Sequence, residues 1–290
     1  MIDYIEAKSI LSPLKGGPDP YFGIKYNMNL YRGCQHQCIY CDTRSKVYRI
    51  GDLSHIRIKK NAIELLEKKL KSLRNKGTIG TGSMNDPYMP IEKKEKLTHN
   101  ALKIIRKYNY PVHIITKSNL VLRDLDILAD ISKTYVAVSF TITAISDSIS
   151  KQIEPFAPVT SERLLVMRAL SEQGIYTGAV LTPVLPFITD TKENIAGIVD
   201  AVANVGGNYI ISWMGMTQRE GHREYYYHKL DEKFPGIKAK YQKYFGDSYN
   251  CNSPNADKLY KVLNEKCQLN NLSQRMKFWK PDTPMQLDLF

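Results

Sequence analysis

Six short runs rich in β-branched and aromatic residues, at 28–31, 78–82, 112–116, 135–140, 176–181 and 209–213, recur along this chain with helical patterns between them. That alternation constrains the fold more than any other feature. Two neighbouring parallel strands need a crossover connection, and a crossover of this length is normally a helix. Between the first two runs, residues 59–76 carry Ile63, Leu65, Leu66, Leu70 and Leu73 near a 3.6-residue period, with Lys and Glu on the other face. Helical patterns follow at 93–107, 121–133, 161–173 and 192–205. Thr160, Ser161 and Glu162 mark a helix start, and Gly174 stands where a left-handed C-terminal cap would end the apolar pattern of Leu164, Leu165, Met167 and Leu170. The expected fold is α/β, with six βα units curved into a partial (β/α)6 barrel of the TIM type.

The rhythm divides the chain. Residues 1–25 form an N-terminal segment holding Pro13 and Pro18, 26–215 form the barrel, and 216–279 form a helical C-terminal extension with helices at 225–245 and 256–267. Residues 280–290 read as a flexible tail. With 43% hydrophobic and 24% charged residues in 290, the chain is an ordinary globular one, not a disordered or collagenous one. No apolar run reaches the roughly 18 to 20 residues a membrane span needs. The first ten residues carry acidic side chains where a signal peptide is basic and then apolar, so the expected location is the cytoplasm. A net charge of +12 argues for an anionic partner or substrate without separating nucleic acid from nucleotide or membrane surface.

Three of the five cysteines, Cys34, Cys38 and Cys41, crowd into the loop that follows the first strand. In parallel α/β barrels the C-terminal ends of the strands are where functional loops gather. In a reducing compartment such a cluster reads as a metal site rather than a disulfide framework. Two metal readings stand on spacing alone. A 4Fe-4S cluster held by three thiolates leaves one iron open to a small-molecule ligand. A structural zinc site would take these cysteines with His36, or with a distant residue such as Cys251 or Cys267.

The C-x3-C-x2-C spacing, with the aromatic Tyr40 just before the third cysteine, resembles the signature of the radical S-adenosylmethionine superfamily. The segments NLYRGCQHQCIYCDTR, GSMNDPYMPIE, IITKSNLVLRD, VAVSFT, EPFAP and LTPVLPFITD resemble, in order, the spore photoproduct lyase-like branch of DNA repair photolyase type, over roughly residues 20 to 215. The resemblance implies a radical SAM partial barrel in which S-adenosylmethionine chelates the open iron of a 4Fe-4S cluster. One electron, from a donor such as flavodoxin or ferredoxin, then yields a 5′-deoxyadenosyl radical that abstracts a substrate hydrogen. By position it makes Cys34, Cys38 and Cys41 the cluster ligands. Lys117 and Ser139 become contacts to the cofactor's carboxylate or ribose, and Gly80, Gly82 and Ser83 the place of its amino group. Asp86 would order that loop or meet the substrate. The implied substrate is a nucleic acid resembling a DNA lesion, with tRNA, a peptide or a small metabolite as alternatives; the other surviving reading is a non-catalytic, zinc-binding, DNA-associated adaptor.

Two features depart from the branch or go beyond it. The lyase donates hydrogen from a cysteine after its second strand, where this chain has Ser83, and a tyrosine follows its third cluster cysteine, where Asp42 stands here. Candidate relays are therefore Tyr40, Tyr88, one of residues 225–227, Cys251 or Cys267. The final residues Gln286, Leu287, Asp288, Leu289 and Phe290 look like the pentapeptide by which bacterial replication and repair proteins dock on the sliding clamp, with Leu and Phe as anchors and Gln as the orienting contact.

Overall fold

The computed structural model describes residues 1–281, so the QLDLF segment lies outside the described residues. Six parallel strands lie side by side in chain order: β1 (Ile24–Met28), β2 (Thr78–Thr81), β3 (Val112–Thr116), β4 (Val136–Thr141), β5 (Tyr176–Leu181) and β6 (Tyr209–Ser212). The short antiparallel strand Leu11–Pro13 flanks β1. Helices Ala62–Ser72, Leu97–Lys107, Leu125–Ser132, Thr160–Glu172 and Lys192–Asn204 make the five crossovers. β4 is buried along its whole length, as a strand covered on both faces must be. This is the expected α/β partial barrel.

One row of residues shows how the sheet curls. Tyr209 on β6 and Ser139 on β4 both stand in register with Gly178 on the strand between them. A Cβ on Gly178 would fall 2.7 Å from the Tyr209 ring, so only glycine lets that ring cross β5 and bring its hydroxyl to 2.7 Å from Ser139 Oγ. Ser139 in turn lies 2.7 Å from His113 Nε2 on β3, and Phe22 stacks on His113 at 5.1 Å.

The unit around Thr160–Glu172 forms as its punctuation implied. Glu162 Oε2 accepts the Val159 N–H at 2.8 Å, and Gly174 takes φ +72° after the helix. Elsewhere boundaries moved. The first strand is not 28–31 but Ile24–Met28, whose Ile24, Tyr26 and Met28 are buried while the half-buried polar Lys25 and Asn27 alternate with them and mask the pattern. Tyr31–Arg32 instead joins a small separate sheet with Ile56–Lys59 and Ile2–Ile5. The helix expected over 93–107 breaks at Lys96, which takes φ +54°. The 121–133 pattern opens with a tight 3-10 turn at Asn119–Asp124. The helix expected over 225–245 is two, His222–Lys233 and Ile237–Phe245, parted at Pro235-Gly236.

The C-terminal extension also holds a strand pair the sequence rhythm missed, Gly215–Thr217 against Asn250–Asn252. Its apolar side chains Met216, Tyr226, Leu230, Tyr241 and Cys251 form one buried cluster with Cys38, Ile39 and Tyr40 of the cysteine loop. Helix Ala256–Leu269 buries Leu259, Leu263 and Cys267. From there the chain returns beneath the barrel. Lys277 is fixed by Tyr135 and Tyr176, at the N-terminal ends of β4 and β5, with contacts of 2.7 and 2.9 Å. The described chain thus ends at the pole opposite the cysteine loop.

Candidate active site

Gly33 turns the chain into the cysteine loop at φ +82°, and a Cβ there would lie 2.4 Å from the His55 carbonyl oxygen, so only glycine fits. The next residue is pinned by Cys34 N–H donating to Leu53 O at 2.8 Å. Cys34, Cys38 and Cys41 all line one cavity of about 530 Å³ inside the mouth of the barrel. Burial, followed by the nearby Asp86 carboxylate, pushes the Cys34 thiol up to about 12, and burial raises Cys38 as well. Such thiols keep their protons until a metal displaces them. Among the described residues no three His, Cys, Asp or Glu side chains converge as the ligands of a single ion must. Three thiols lining one cavity can hold separate corners of a polynuclear cluster.

The cysteine loop is stitched to the segment after β4. Ile39 N–H donates to Ile153 O at 2.9 Å, Phe156 N–H donates to His36 O at 3.3 Å, and His36 Nδ1 lies 3.2 Å from Phe156 O. The other ring nitrogen of His36 stands 3.2 Å from Asp86 Oδ2, within ion-pair range but off the line of a hydrogen bond. His36 therefore serves the loop's architecture. Asp86 is a hub: it accepts from Thr116 Oγ1 and the Lys117 N–H at 2.7 Å and from the Tyr88 N–H at 2.8 Å. Burial opposes its charge, yet His36 and these donors hold its carboxyl down to about 2. Asp86 thus orders the loops after β2 and β3.

A second hub, Glu154, is fully buried. It accepts hydrogen bonds from Tyr40 and from Arg163, and Lys117 Nζ lies 4.0 Å away. Arg163, also fully buried, donates further to Thr141 O and Pro158 O, each at 2.8 Å. Burial works against the charge of Lys117, but Cys38 in its thiolate form and the Glu154 carboxylate outweigh it and keep its pKa above the ordinary value. The Lys117 ammonium also stands 5.7 Å from the Tyr40 ring. Glu154 thereby fixes two residues that line the cavity, Tyr40 and Lys117, without lining it itself.

Gly80, Gly82 and Ser83 line the same cavity. Gly82 takes φ +98°, and a Cβ there would lie 2.2 Å from the Ile115 carbonyl oxygen, so strand packing alone requires it. Ser83 donates to Asn27 Oδ1 at 3.0 Å. Other expected residues lie elsewhere. Ser139 is held between His113 and Tyr209, outside the lining of the cavity. Tyr88 is fully buried, with its hydroxyl donating to Asp124 Oδ2 at 3.0 Å. Cys251 packs against Met216, Tyr226 and Tyr241; Met216, its ladder partner, reaches the cavity and Cys251 does not. Tyr225 stacks under Arg44 at 3.7 Å, and the Tyr226 and Tyr241 hydroxyls pair at 3.1 Å. Of the candidate relays, Tyr40 alone lines the cavity. Glu154 and Arg163 were missed in the sequence. The available signal was an arginine on the buried stripe formed by Val166, Met167 and Leu170.

Fold and cavity together describe an α/β partial barrel whose candidate site opens at the C-terminal ends of its strands. The chain belongs to the radical SAM superfamily, whose profile matches residues 28–201. An uncharacterized protein of Methanocaldococcus jannaschii is 33% identical over 251 residues, which is 85% of this chain and 91% of that protein. The radical SAM Nα-GlyT isomerase of Pseudomonas phage M6 is 23% identical over 178 residues, covering 61% of this chain and 36% of that protein. In fold, the chain is similar to a spore photoproduct lyase mutant with bound AdoMet and dinucleoside spore photoproduct. That likeness has a TM-score of 0.68 at 14% identity, covering 95% of this chain and 82% of the other. Superfamily membership implies S-adenosylmethionine and a 4Fe-4S cluster. Among the described residues no helix is long and apolar enough to cross a membrane.

Proposed function

We propose that the chain cleaves S-adenosylmethionine reductively and uses the product radical on a nucleic-acid substrate resembling a DNA lesion. The observation that carries the first half is the convergence of Cys34, Cys38, Cys41, Lys117 and Tyr40 on one cavity at the mouth of the barrel. When bound and reduced by a one-electron donor such as flavodoxin or ferredoxin, the cluster would supply the electron that splits the sulfonium into methionine and a 5′-deoxyadenosyl radical. The residues do the rest. The three cysteines hold the cluster, Lys117 pairs with the cofactor's carboxylate, and the edge formed by Gly80, Gly82 and Ser83 receives its amino group. Ser139, committed to His113 and Tyr209, is left out of this assignment. The apolar cluster shared by the cysteine loop and the C-terminal extension keeps water and stray hydrogen donors away.

The nucleic-acid half is supported by the fold likeness to a lyase bound to a dinucleoside lesion and by the charge of +12. Anaerobic reconstitution, dithionite reduction and assay for 5′-deoxyadenosine, with and without lesion-bearing oligonucleotides, test both halves. Products formed only from tRNA, a peptide or a small metabolite would move the substrate assignment and leave the cofactor chemistry standing. In the same assay Lys117→Ala is expected to raise KM for S-adenosylmethionine about 10- to 100-fold, as loss of a charge-assisted hydrogen bond does. An unchanged KM sinks the carboxylate assignment.

The tail belongs to the same reading. Its root lies at the pole opposite the cysteine loop, and residues Gln286, Leu287, Asp288, Leu289 and Phe290 would engage a sliding clamp. Calorimetric titration with purified clamp is expected to give binding that disappears when the last five residues are deleted. Equal heats from both proteins end the proposal.

A further inference from the structure

Two short helices of the C-terminal extension, His222–Lys233 and Ile237–Phe245, both read as Tyr- and Lys-rich, yet their lysines are in different states. On and beside the first, Lys229 pairs with Glu232 at 2.7 Å, and Asp231 takes Lys238 at 2.6 Å. Lys240 and Lys243, like Lys233 at the end of the first helix, have no carboxylate within 4.0 Å among the described residues. Asp190, near enough to feel the Lys240 charge, is already held by Ser253 Oγ at 2.6 Å. These two lysines flank exposed aromatic surface. Tyr244 is 61% exposed, and Lys240 Nζ lies 5.8 Å from the Phe187 ring.

Phe187 is itself unusual. It is a bulky, non-glycine residue at φ +64°, a backbone state costing of order 1–3 kcal/mol that persists only where the surroundings impose it. Here the rings of Tyr241, Tyr244 and Phe245, at 5.6, 5.3 and 6.1 Å, hold it in place. Its loop leaves β5 through Thr182 and Pro183, which line the cavity, and its ring packs against the cluster that contains Cys38 and Tyr40. Phe187, Tyr244, Lys240 and Lys243 therefore sit over the apolar cluster that backs the cysteine loop, without themselves lining the cavity.

Aromatic faces beside unneutralised cations are what a flexible, polyanionic strand with unstacked bases requires. We propose that Phe187, Lys240, Lys243 and Tyr244 form the surface that grips single-stranded nucleic acid next to the reacting unit. The proposal rests on the nucleic-acid reading above and adds where, and in which strand state, the substrate is held. Tyr244 supplies a stacking face, and the lysines take successive phosphates.

The test uses reconstituted holoenzyme and a fluorescently labelled single-stranded oligonucleotide, read by anisotropy from low to moderate salt, with thermal unfolding to show that each variant folds. Tyr244→Ala is expected to weaken binding about 5- to 150-fold, the effect of losing one base stack. The double variant Lys240→Ala, Lys243→Ala should flatten the salt dependence by about 1.4 logarithmic units of slope, since each single-strand phosphate contact contributes about 0.7. The control Lys229→Ala, Lys238→Ala removes the same formal charge from paired lysines and should leave the slope nearly unchanged. Equal losses from the two double variants would overturn the patch, because only overall charge would matter. So would wild-type binding that neither patch variant alters, or unaltered binding joined to a lost response to reduced flavodoxin, which would give the surface to the reductant. A wild type that binds no oligonucleotide at low salt would overturn the nucleic-acid reading itself.

Discussion

Replacing Cys38 by alanine is expected to reduce 5′-deoxyadenosine formation to the level of an enzyme-free control and to abolish the visible absorbance acquired on anaerobic reconstitution with iron and sulfide. The reasoning is stoichiometric. A cluster gripped at three corners has no spare protein ligand, and other side chains of the right chemistry are tied down: His36 through Nδ1 to Phe156, Asp86 to Thr116 and Lys117, and Cys251 to the apolar cluster behind Met216. The change deletes one sulfur at the cavity wall, so the fold should survive it and thermal unfolding should move little. A variant that keeps its colour and its cleavage activity would remove Cys38 from the ligand set. A wild type that loads zinc, stays colourless and never cleaves the cofactor would restore the adaptor reading.

Glu154→Ala should be the most destabilising single change in the site. It strips the counter-charge from two buried cations, Arg163 at 0% exposure and Lys117 at 16%, and breaking a buried pair from one side costs about 3–5 kcal/mol. Urea unfolding of the apoprotein measures it, and a loss below about 1 kcal/mol would mean that the network adapts around the gap. Acid should reveal the same carboxyl. Burial raises its pKa, but Arg163 and then Lys117 more than offset this, so the folded value lies below the 4.5 of a free glutamate. A carboxyl lowered on folding stabilises the protein above its unfolded pKa, and that stability drains away as pH falls through the folded value. The wild type should therefore lose stability progressively below about pH 4.5, and Glu154→Gln should lose less over the same interval. Asp86, held near 2, contributes its own acid limb to both proteins and drops out of the difference.

Elements are legible in the chain where local rules and tertiary packing agree. The strand at 176–181 and the helix around 161–173 were legible because unbroken apolar patterns end in unambiguous punctuation, and Gly174 then caps as expected. β1 lies several residues before the expected run because polar Lys25 and Asn27 alternate with its buried side chains, and because Tyr31 pairs in a different sheet. The single helix drawn over 225–245 failed at Pro235-Gly236, where the turn chemistry was present but the Tyr and Lys pattern ran across it.

The site divides along the same line. Cys34, Cys38 and Cys41 could be named from the chain because their chemistry is carried by residue type and short spacing, and Lys117 only because its segment resembles the family's. Glu154 and Arg163 could not. Each is a charged residue whose meaning depends on being buried beside the other, and burial of a charge becomes affordable only once the tertiary fold supplies its partner. Tyr88 and Cys251 had the right chemistry in the sequence, but folding turned one toward Asp124 and packed the other behind Met216. The linear chain by itself determined the barrel rhythm and the three thiols, because periodicity and ligand spacing are local properties of a sequence. The tertiary structure alone decided which tyrosine faces the cavity, which lysines go without a counter-charge and where Lys117 stands. These depend on contacts between residues dozens of positions apart, and no local pattern encodes such contacts.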